Sequence, residues 1–180
     1  MKRKVQDIHV DKILLNVRSV LLFGEIDTPM ANQIISKLVA LDSLNTRPIT
    51  MYINSPGGCV ADGLAIADTM KGIQSQVITM VMGEACSMAS VISTCGDKRY
   101  VLPHAIWMMH DMSVYAGDYY AKTRAREKSW QHYYNTLINI LKKYTKLSQA
   151  EFDLAERGEL WLNAEECVKK GVADKIINSI

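Results

Sequence analysis

The sequence has no long apolar run, and none of its hydrophobic segments approaches the roughly 20 residues that a membrane-spanning helix needs. The basic start KRK at 2–4 is followed at once by VQD, so we expect no hydrophobic region of a signal peptide there. Charge of one sign is lacking too, because 21 lysines and arginines face 19 aspartates and glutamates. That balance gives no reason to expect a nucleic acid or a membrane as a partner. What remains is the composition of an ordinary soluble globular protein.

Cysteine is also scarce, with four in the chain: Cys59, Cys86, Cys95 and Cys167. Their spacing fits neither a zinc site nor a disulfide framework. We therefore expect no metal site, and reduced thiols of the kind found in the cytoplasm. Cys86 stands directly before a serine, Ser87. We interpret Cys86 as a small buried residue rather than a nucleophile, because a sharp strand-to-helix turn exposes only one side chain.

The order of segments predicts one α/β domain that spans residues 1–180. Three times in the first half of the chain, an apolar run of strand length is followed by a stretch with helical periodicity. Two further short strands are predicted on either side of Pro103. This alternation is typical of a largely parallel sheet with helices packed against it. The predicted strands of the first half lie at 17–23, 49–53 and 77–82.

Three other segments have features of their own. Residues 1–16 are interpreted as an N-terminal arm, because its beginning is polar and lacks an apolar period. Thr28 is predicted to cap a helix that has Pro29 at its first position. A long stretch at about 118–146 is helical, rich in alternating charge and apolar on one face. It is too long and too polar to cover a compact α/β unit, so we expect it to project and to pack against another subunit.

The stretch GEACSMA at 83–89 is the one around which the chain is organised. It joins the predicted strand at 77–82 to small apolar residues that suit a buried helix, so Ser87 is expected at the start of that helix. Free backbone N–H groups and the positive end of the helix dipole lie there. A serine in this place can act as a nucleophile whose oxyanion meets preorganised amides. It can also be an N-cap with no part in chemistry.

Two other places could complete such a site. The run NSPGG at 54–58 ends the second strand, and its glycines permit positive φ, so the backbone can present N–H groups to a neighbour. It also suits a plain strand-to-helix turn, whereas a phosphate loop is disfavoured because no GK[ST] follows. Of the four histidines, only His110 ends an apolar strand that could aim it at a site. A structural histidine is the alternative reading of His110.

Six motifs follow one another in order along the chain. They are YINSPGG at 52–58, MGEACSMA at 82–89, LP at 102–103, MMH at 108–110, WLNAEE at 161–166 and GVAD at 171–174. Together they resemble the ClpP family, the proteolytic components of ATP-dependent Clp proteases, from about residue 17 to the C-terminus. The resemblance implies a crotonase-like α/β fold with repeated β-β-α type units, a mainly parallel sheet and a protruding handle helix.

The resemblance implies the chemistry of a serine endopeptidase. Ser87 is implied as the nucleophile and His110 as the general base, with an acyl-enzyme as the intermediate. The backbone N–H groups of Gly58 and Met88 are implied as the oxyanion hole. Ser87, His110 and the NSPGG run are also the three candidate positions that the local sequence pattern indicates.

The third catalytic residue is where this sequence departs from the family pattern. The family usually has an aspartate just before the aromatic–Leu pair, and Glu159 stands there in this chain. A glutamate can orient a histidine, as the acid of other triads does. The alternative is that Glu159 is a surface charge and that Asn163 or a water holds His110. The arginine that usually precedes the aspartate and helps to couple the rings is also displaced, since Arg157 is followed by Gly158.

The implied substrates are unfolded polypeptides, cut to short peptides inside a cytoplasmic tetradecamer of two stacked heptameric rings. A Clp-type AAA+ ATPase would feed them, so ATP is used only by that partner, and the peptidase needs no cofactor and no metal. The substrate would lie as an added strand beside the loop after His110, with Val60 and Met112 as substrate-binding residues. In that loop Asp111 and Ser113 flank Met112 where the family usually has a proline and glycines, so selectivity is expected to differ.

Three other functions could use parts of the same pattern. A non-catalytic ring subunit that supports active paralogues would be expected to lack Ser87 or His110. A crotonase-like acyl-CoA enzyme needs no serine–histidine pair, and a membrane-anchored peptidase with a serine–lysine dyad needs an anchor. We therefore predict a compartmentalised serine peptidase, with the partner-dependent ring subunit as the alternative. The segment before Gly24, which forms pore-gating axial loops in the family, is shorter here.

Overall fold

The computed structural model describes residues 10–113 and 120–178. Its helices are α1 Val10–Asn16, α2 Thr28–Leu44, α3 Val60–Gly72, α4 Met88–Thr94, α5 Tyr120–Tyr144, α6 Gln149–Arg157 and α7 Ala164–Lys169. Its strands are β1 Ser19–Phe23, β2 Ile49–Ser55, β3 Val77–Cys86, β4 Lys98–Val101, β5 Ile106–His110, β6 Glu159–Leu162 and β7 Lys175–Ile176. No helix in these two ranges is both long enough and apolar enough to cross a membrane.

A mainly parallel sheet carries the fold, which confirms the predicted α/β class. Its strands run in the order β1-β2-β3-β4-β7, all of them parallel to their neighbours. Strand β5 pairs in parallel with the last residues of β3, and β6 pairs antiparallel with β5. The alternation of strands and helices in the first half of the sequence therefore predicts the architecture correctly.

A shift of register in β3 lets this strand serve both parts of the sheet. Ile53 pairs with Val81, but Ser55 pairs with Ala85, so β3 carries extra residues between the paired positions. In the bulge, Asn54 Oδ1 accepts a hydrogen bond from the N–H of Glu84 at 3.1 Å. From Glu84 onward β3 pairs with β5 instead of β4. The carboxyl ends of β3 and β5 consequently lie side by side.

The core fixes these two strand ends against α4. All seven residues of α4 are buried. Trp107 on β5 is fully buried, and its indole N–H donates to the carbonyl of Ser90 and to the hydroxyl of Ser93, both at 3.2 Å. These hydrogen bonds tie β5 to α4, because a buried indole N–H needs a partner.

The beginning of the chain differs from the prediction in two details. Part of the predicted arm is the helix α1, whose Leu15 packs on the core and whose Asp11 pairs with Lys37 at 2.9 Å. These are tertiary contacts that a local reading of the arm misses. The N-cap of α2 is Asp27 and not Thr28, because the Asp27 carboxylate accepts the N–H of Met30 at 2.8 Å.

The long predicted helix is present over Tyr120–Tyr144, while residues 118 and 119 lie outside the described ranges. Its carboxyl end is attached to the rest of the protein. Leu141 is buried in the core, and the guanidinium of Arg99 donates to the carbonyls of Tyr144 and Gly171. The helix is therefore anchored at the end that lies nearest to the sheet.

Candidate active site

Ser87 lies at the sharp turn between β3 and α4, as predicted. Its φ of 53° and ψ of −123° are costly for a residue with a side chain. Its N–H donates to the carbonyl of Met108 on β5 at 2.9 Å, and its carbonyl accepts from both the N–H and the hydroxyl of Ser90. The side chain makes no capping hydrogen bond. Ser87 thus occupies the N-cap position of α4, but its hydroxyl does not cap the helix and is left available.

His110 is the last residue of β5, the parallel neighbour of β3 at this edge. Cys86 is paired with Met108, so both strands end within two residues of this pair. Ser87 and His110 accordingly reach the same cavity. Across residues 10–113 and 120–178, no hydrogen bond joins the imidazole to Ser87 or to Glu159. The two side chains share a site without being in hydrogen-bond contact.

The cavity at this edge has a volume of about 280 Å³. Its lining includes six predicted residues: Ser87, His110, Gly58, Met88, Val60 and Met112. Further apolar walls come from α5 and α6, through Leu137, Ile138, Leu141, Phe152 and Ala155. The volume and the apolar lining suit an apolar side chain of a bound peptide.

Two polar residues of the cavity wall are not predicted from the sequence. Tyr134 on α5 and Glu156 on α6 both line the cavity. Burial, and then the carboxylates of Glu156, Asp111 and Asp153, raise the pKa of Tyr134, so its hydroxyl stays a neutral donor. In the sequence Tyr134 is only one member of a helical apolar face. Nothing local to α5 or α6 indicates that tertiary packing brings these helices to Ser87.

Gly57 and Gly58 form a loop directly beside Ser87, which we call the glycine loop. Gly57 and Gly58 have positive φ values of 98° and 148°. A Cβ on Gly57 would come within 2.7 Å of the Ser87 Cβ, and one on Gly58 within 2.2 Å of the Ile26 carbonyl oxygen. Side chains are thus excluded at both positions. In the described part of the chain the Gly58 N–H has no hydrogen-bond partner, and Met88, as the first residue of α4, has no intrahelical acceptor for its own N–H.

Cys86 is buried, as predicted, and is not a second nucleophile. Burial, and then the neighbouring Glu84 carboxylate, raise the pKa of the thiol to about 11. Its Sγ lies 3.6 Å from Glu84 Oε2. The nucleophilic form of cysteine is the thiolate, and it is scarce at neutral pH with such a pKa. Ser87 is therefore the better nucleophile of the adjacent pair.

Glu159 stands directly opposite His110 in the antiparallel pairing of β5 with β6. Opposed residues share one face of the sheet, with Cβ atoms about 5 Å apart. The Glu159 carboxylate, however, accepts a hydrogen bond from the indole N–H of Trp161 at 2.8 Å. Asn163, the alternative partner of His110, caps α7 through the N–H of Glu166 at 3.0 Å. The identity of the orienting acid thus stays a prediction.

Residues 10–113 and 120–178 contain no group of three or more histidine, cysteine, aspartate or glutamate side chains that could hold a metal ion.

A serine on a strained strand-to-helix turn, next to a histidine and to a backbone loop with a free N–H, is the layout of a serine hydrolase. The sequence profile of the family described as Clp protease matches residues 2–180. The chain belongs to the Clp protease family, and it is a serine peptidase. The resemblance found in the sequence is thereby confirmed.

Two curated relatives illustrate how far the similarity extends. An ATP-dependent Clp protease proteolytic subunit of Streptococcus sanguinis (strain SK36) is 35% identical over 182 residues, which cover 92% of this chain and 87% of the relative. A protein of the same name from Streptococcus pneumoniae (strain 70585) is 36% identical over 180 residues, or 91% and 86% of the two chains. The similarity therefore includes the whole region that contains the cavity.

Proposed function

We propose that this peptidase cleaves polypeptides through an acyl-enzyme on Ser87. Ser87 Oγ attacks the scissile carbonyl while His110 accepts the hydroxyl proton. The N–H groups of Gly58 and Met88 donate to the oxyanion of the tetrahedral intermediate. His110 then protonates the leaving amine, and a water activated by the same imidazole releases the acyl product.

The observation that carries this proposal is the shared cavity. Ser87, His110, Gly58 and Met88 come from three separate segments of the chain, and all four line one space of about 280 Å³. If Ser87 and His110 had only structural roles, nothing would require the two side chains to line the same cavity. Val60 and Met112 line the same space and are the proposed substrate-binding residues.

Glu159 is the proposed orienting acid of the triad. It already faces His110 across the pair of strands, and a change of side-chain rotamer would exchange Trp161 for the imidazole as its partner. Such an exchange gives the enzyme an acid that aligns only when the site is fully assembled. Apo structures often show long or misaligned catalytic hydrogen bonds.

The proposed working form is a cytoplasmic tetradecamer of two stacked heptameric rings. The relatives' name, a proteolytic subunit of an ATP-dependent protease, supports a Clp-type AAA+ ATPase as partner. That partner would use the ATP, so the peptidase itself would need no cofactor. Enclosing the cavity in a chamber would restrict cleavage to unfolded chains.

The test is the hydrolysis of a fluorogenic peptide by purified protein, with the native mass read on the same sample. Ser87→Ala is expected to abolish cleavage and to leave the native mass unchanged. Ser43→Ala, an exposed serine on α2, is the matched control and should cleave like the wild type. Cleavage by Ser87→Ala at the wild-type rate would contradict the proposal. An assembled wild type without any activity would favour the partner-dependent ring subunit.

A further inference from the structure

The buried hydroxyl of Ser55 is hydrogen-bonded to the glycine loop. Ser55, the last residue of β2, is fully buried, and its Oγ accepts a hydrogen bond from the N–H of Gly57 at 3.1 Å. The proposed mechanism does not use this hydroxyl. Removing it would leave the Gly57 N–H without that acceptor in a buried place, where an unpaired polar group costs free energy.

The other polar atoms around Gly58 are held by Ile26. The carbonyl of Gly57 accepts from the N–H of Ile26 at 2.7 Å, and the N–H of Cys59 donates to the carbonyl of Ile26 at 2.7 Å. In a trans peptide the C=O and the N–H point in opposite directions. Because the Gly57 carbonyl points to Ile26, the N–H of Gly58 points away from Ile26.

The Gly57–Gly58 peptide nevertheless has an intrinsic freedom to rotate. Both residues have positive φ, and glycine populates many backbone conformations at little cost. A half-turn of this peptide would replace the Gly58 N–H by a carbonyl oxygen. A carbonyl in that place would repel an oxyanion on Ser87 instead of stabilising it. The contacts on the two sides of Gly57, the Ser55 hydroxyl at its N–H and the Ile26 N–H at its carbonyl, therefore decide how much oxyanion stabilisation the loop provides.

We infer that Ser55 is a positioning residue for the oxyanion hole. Its hydroxyl holds the Pro56–Gly57 amide in the place from which the Gly57 carbonyl reaches the N–H of Ile26, and that contact turns the Gly58 N–H away from Ile26. This inference rests on the proposed role of Gly58 in catalysis. Ser55 itself reaches neither the cavity nor the substrate, since it is fully buried and is not part of the cavity lining.

The test compares Ser55→Thr with Ser55→Val, because these two side chains have nearly the same shape and only threonine keeps the accepting oxygen. The valine variant is expected to have a kcat about 10- to 100-fold below that of the threonine variant, less than the loss of a whole oxyanion donor. KM should agree within about twofold, since substrate binding is not affected. Affinity for a peptide aldehyde, which forms a tetrahedral adduct on the serine, should fall in parallel with kcat/KM.

Two further measurements separate positioning from stability. Ser75→Ala removes another buried hydroxyl, one that is hydrogen-bonded to Asp42 and Arg18 far from the cavity. It should lower the melting temperature and keep kcat. If the larger side chains at position 55 prevent assembly, Ser55→Ala, which cannot overpack the site, is compared with the wild type by the same readouts.

The outcomes distinguish this inference from the proposed function. If the threonine and valine variants, or Ser55→Ala and the wild type, have equal kcat and equal affinity for the aldehyde, the positioning role is wrong while Ser87 keeps its role. A loss of kcat with unchanged aldehyde affinity would overturn the inference as well. If Ser87→Ala still cleaves peptides, the proposed function fails and this inference fails with it.

Discussion

The two sides of the cavity are built in different ways. On the oxyanion side, the glycine loop is fixed by the Gly57 N–H, which donates to the Ser55 hydroxyl, and by backbone hydrogen bonds with Ile26, while a strained backbone fixes Ser87. On the acid side, Glu159 faces His110 but is hydrogen-bonded to the half-exposed Trp161. Groups held by backbone are preorganised within a single chain, whereas a surface side chain can change its partner. Within residues 10–113 and 120–178, hydrogen bonds therefore hold the proposed oxyanion side in place, while the proposed acid is bonded to Trp161 and not to His110.

The largest expected effect tests the acid side. Glu159→Gln keeps the shape but removes the charge that would stabilise the imidazolium, so kcat is expected to fall by up to about 10⁴-fold, as in triads with a neutral acid analogue. Steady-state kinetics with a fluorogenic peptide measures it, and Glu165→Gln, an exposed glutamate on α7, is the control. Wild-type activity in Glu159→Gln would show that another group orients His110.

A smaller loss is expected on the oxyanion side. The Cβ of Gly58→Ala would lie 2.2 Å from the Ile26 carbonyl oxygen, so the loop must shift and its N–H moves out of line. Loss of one oxyanion donor lowers kcat about 10²- to 10³-fold. Gly72→Ala is the control, because nothing lies within 4 Å of its Cβ position. If Gly58→Ala stays assembled and fully active, the oxyanion hole is elsewhere.

A gain of activity is expected from Trp161→Phe. Without the indole N–H, Glu159 loses its present partner and is free to turn to His110. The released hydrogen bond is worth about 1 kcal/mol, so kcat should rise up to about fivefold. Unchanged kinetics would mean that Trp161 does not compete for the acid.

The smallest expected effect concerns stability and spares both sides of the cavity. Burial pushes the pKa of Glu151 upward, but the hydrogen bonds from Lys170 and Ser148 outweigh it and hold the pKa at about 2. Because this pKa is below that of the unfolded chain, the stabilisation is full above about pH 4.5 and is lost as pH falls toward 2. Glu151→Gln should cost about 1 kcal/mol at neutral pH.

Melting temperatures from pH 7 down to pH 2.5 test that prediction. The difference between the wild type and Glu151→Gln should shrink as the pH falls, while kcat at neutral pH stays the same. A difference that is constant with pH would contradict the ionic origin of the stabilisation.

The local features of the candidate site can be predicted from the sequence, whereas its tertiary contacts cannot. Ser87, His110 and Gly58 each stand at the end of a strand-like run, so periodicity and turn chemistry reveal them. The bulge that turns β3 from β4 to β5 depends on a contact of the Asn54 side chain with another strand. Likewise, Trp161 meets Glu159 only through the geometry of β6. Neither of these two side-chain contacts can be predicted from the periodicity of the sequence.

The cavity wall shows the same limit on a larger scale. Tyr134 and Glu156 line the same cavity as Ser87 because α5 packs on α4 and α6 packs on β5 and β6, and no local pattern encodes that packing. The N-cap of α2 was misplaced by a single residue, since Asp27 and Thr28 are both good caps. In the structure the Thr28 hydroxyl donates to the Asp62 carboxylate on α3 at 3.0 Å, which is a contact between helices that the local sequence does not reveal.

Active-site labelling with a fluorophosphonate probe tests the central claim most directly, with the modified residue identified by tandem mass spectrometry. The probe forms a covalent bond only with a nucleophilic serine that lies beside an oxyanion hole. We predict one adduct per chain, on Ser87, which is lost in Ser87→Ala and slowed in Ser55→Val. An adduct on another serine, or equal labelling of Ser87→Ala, would contradict the account.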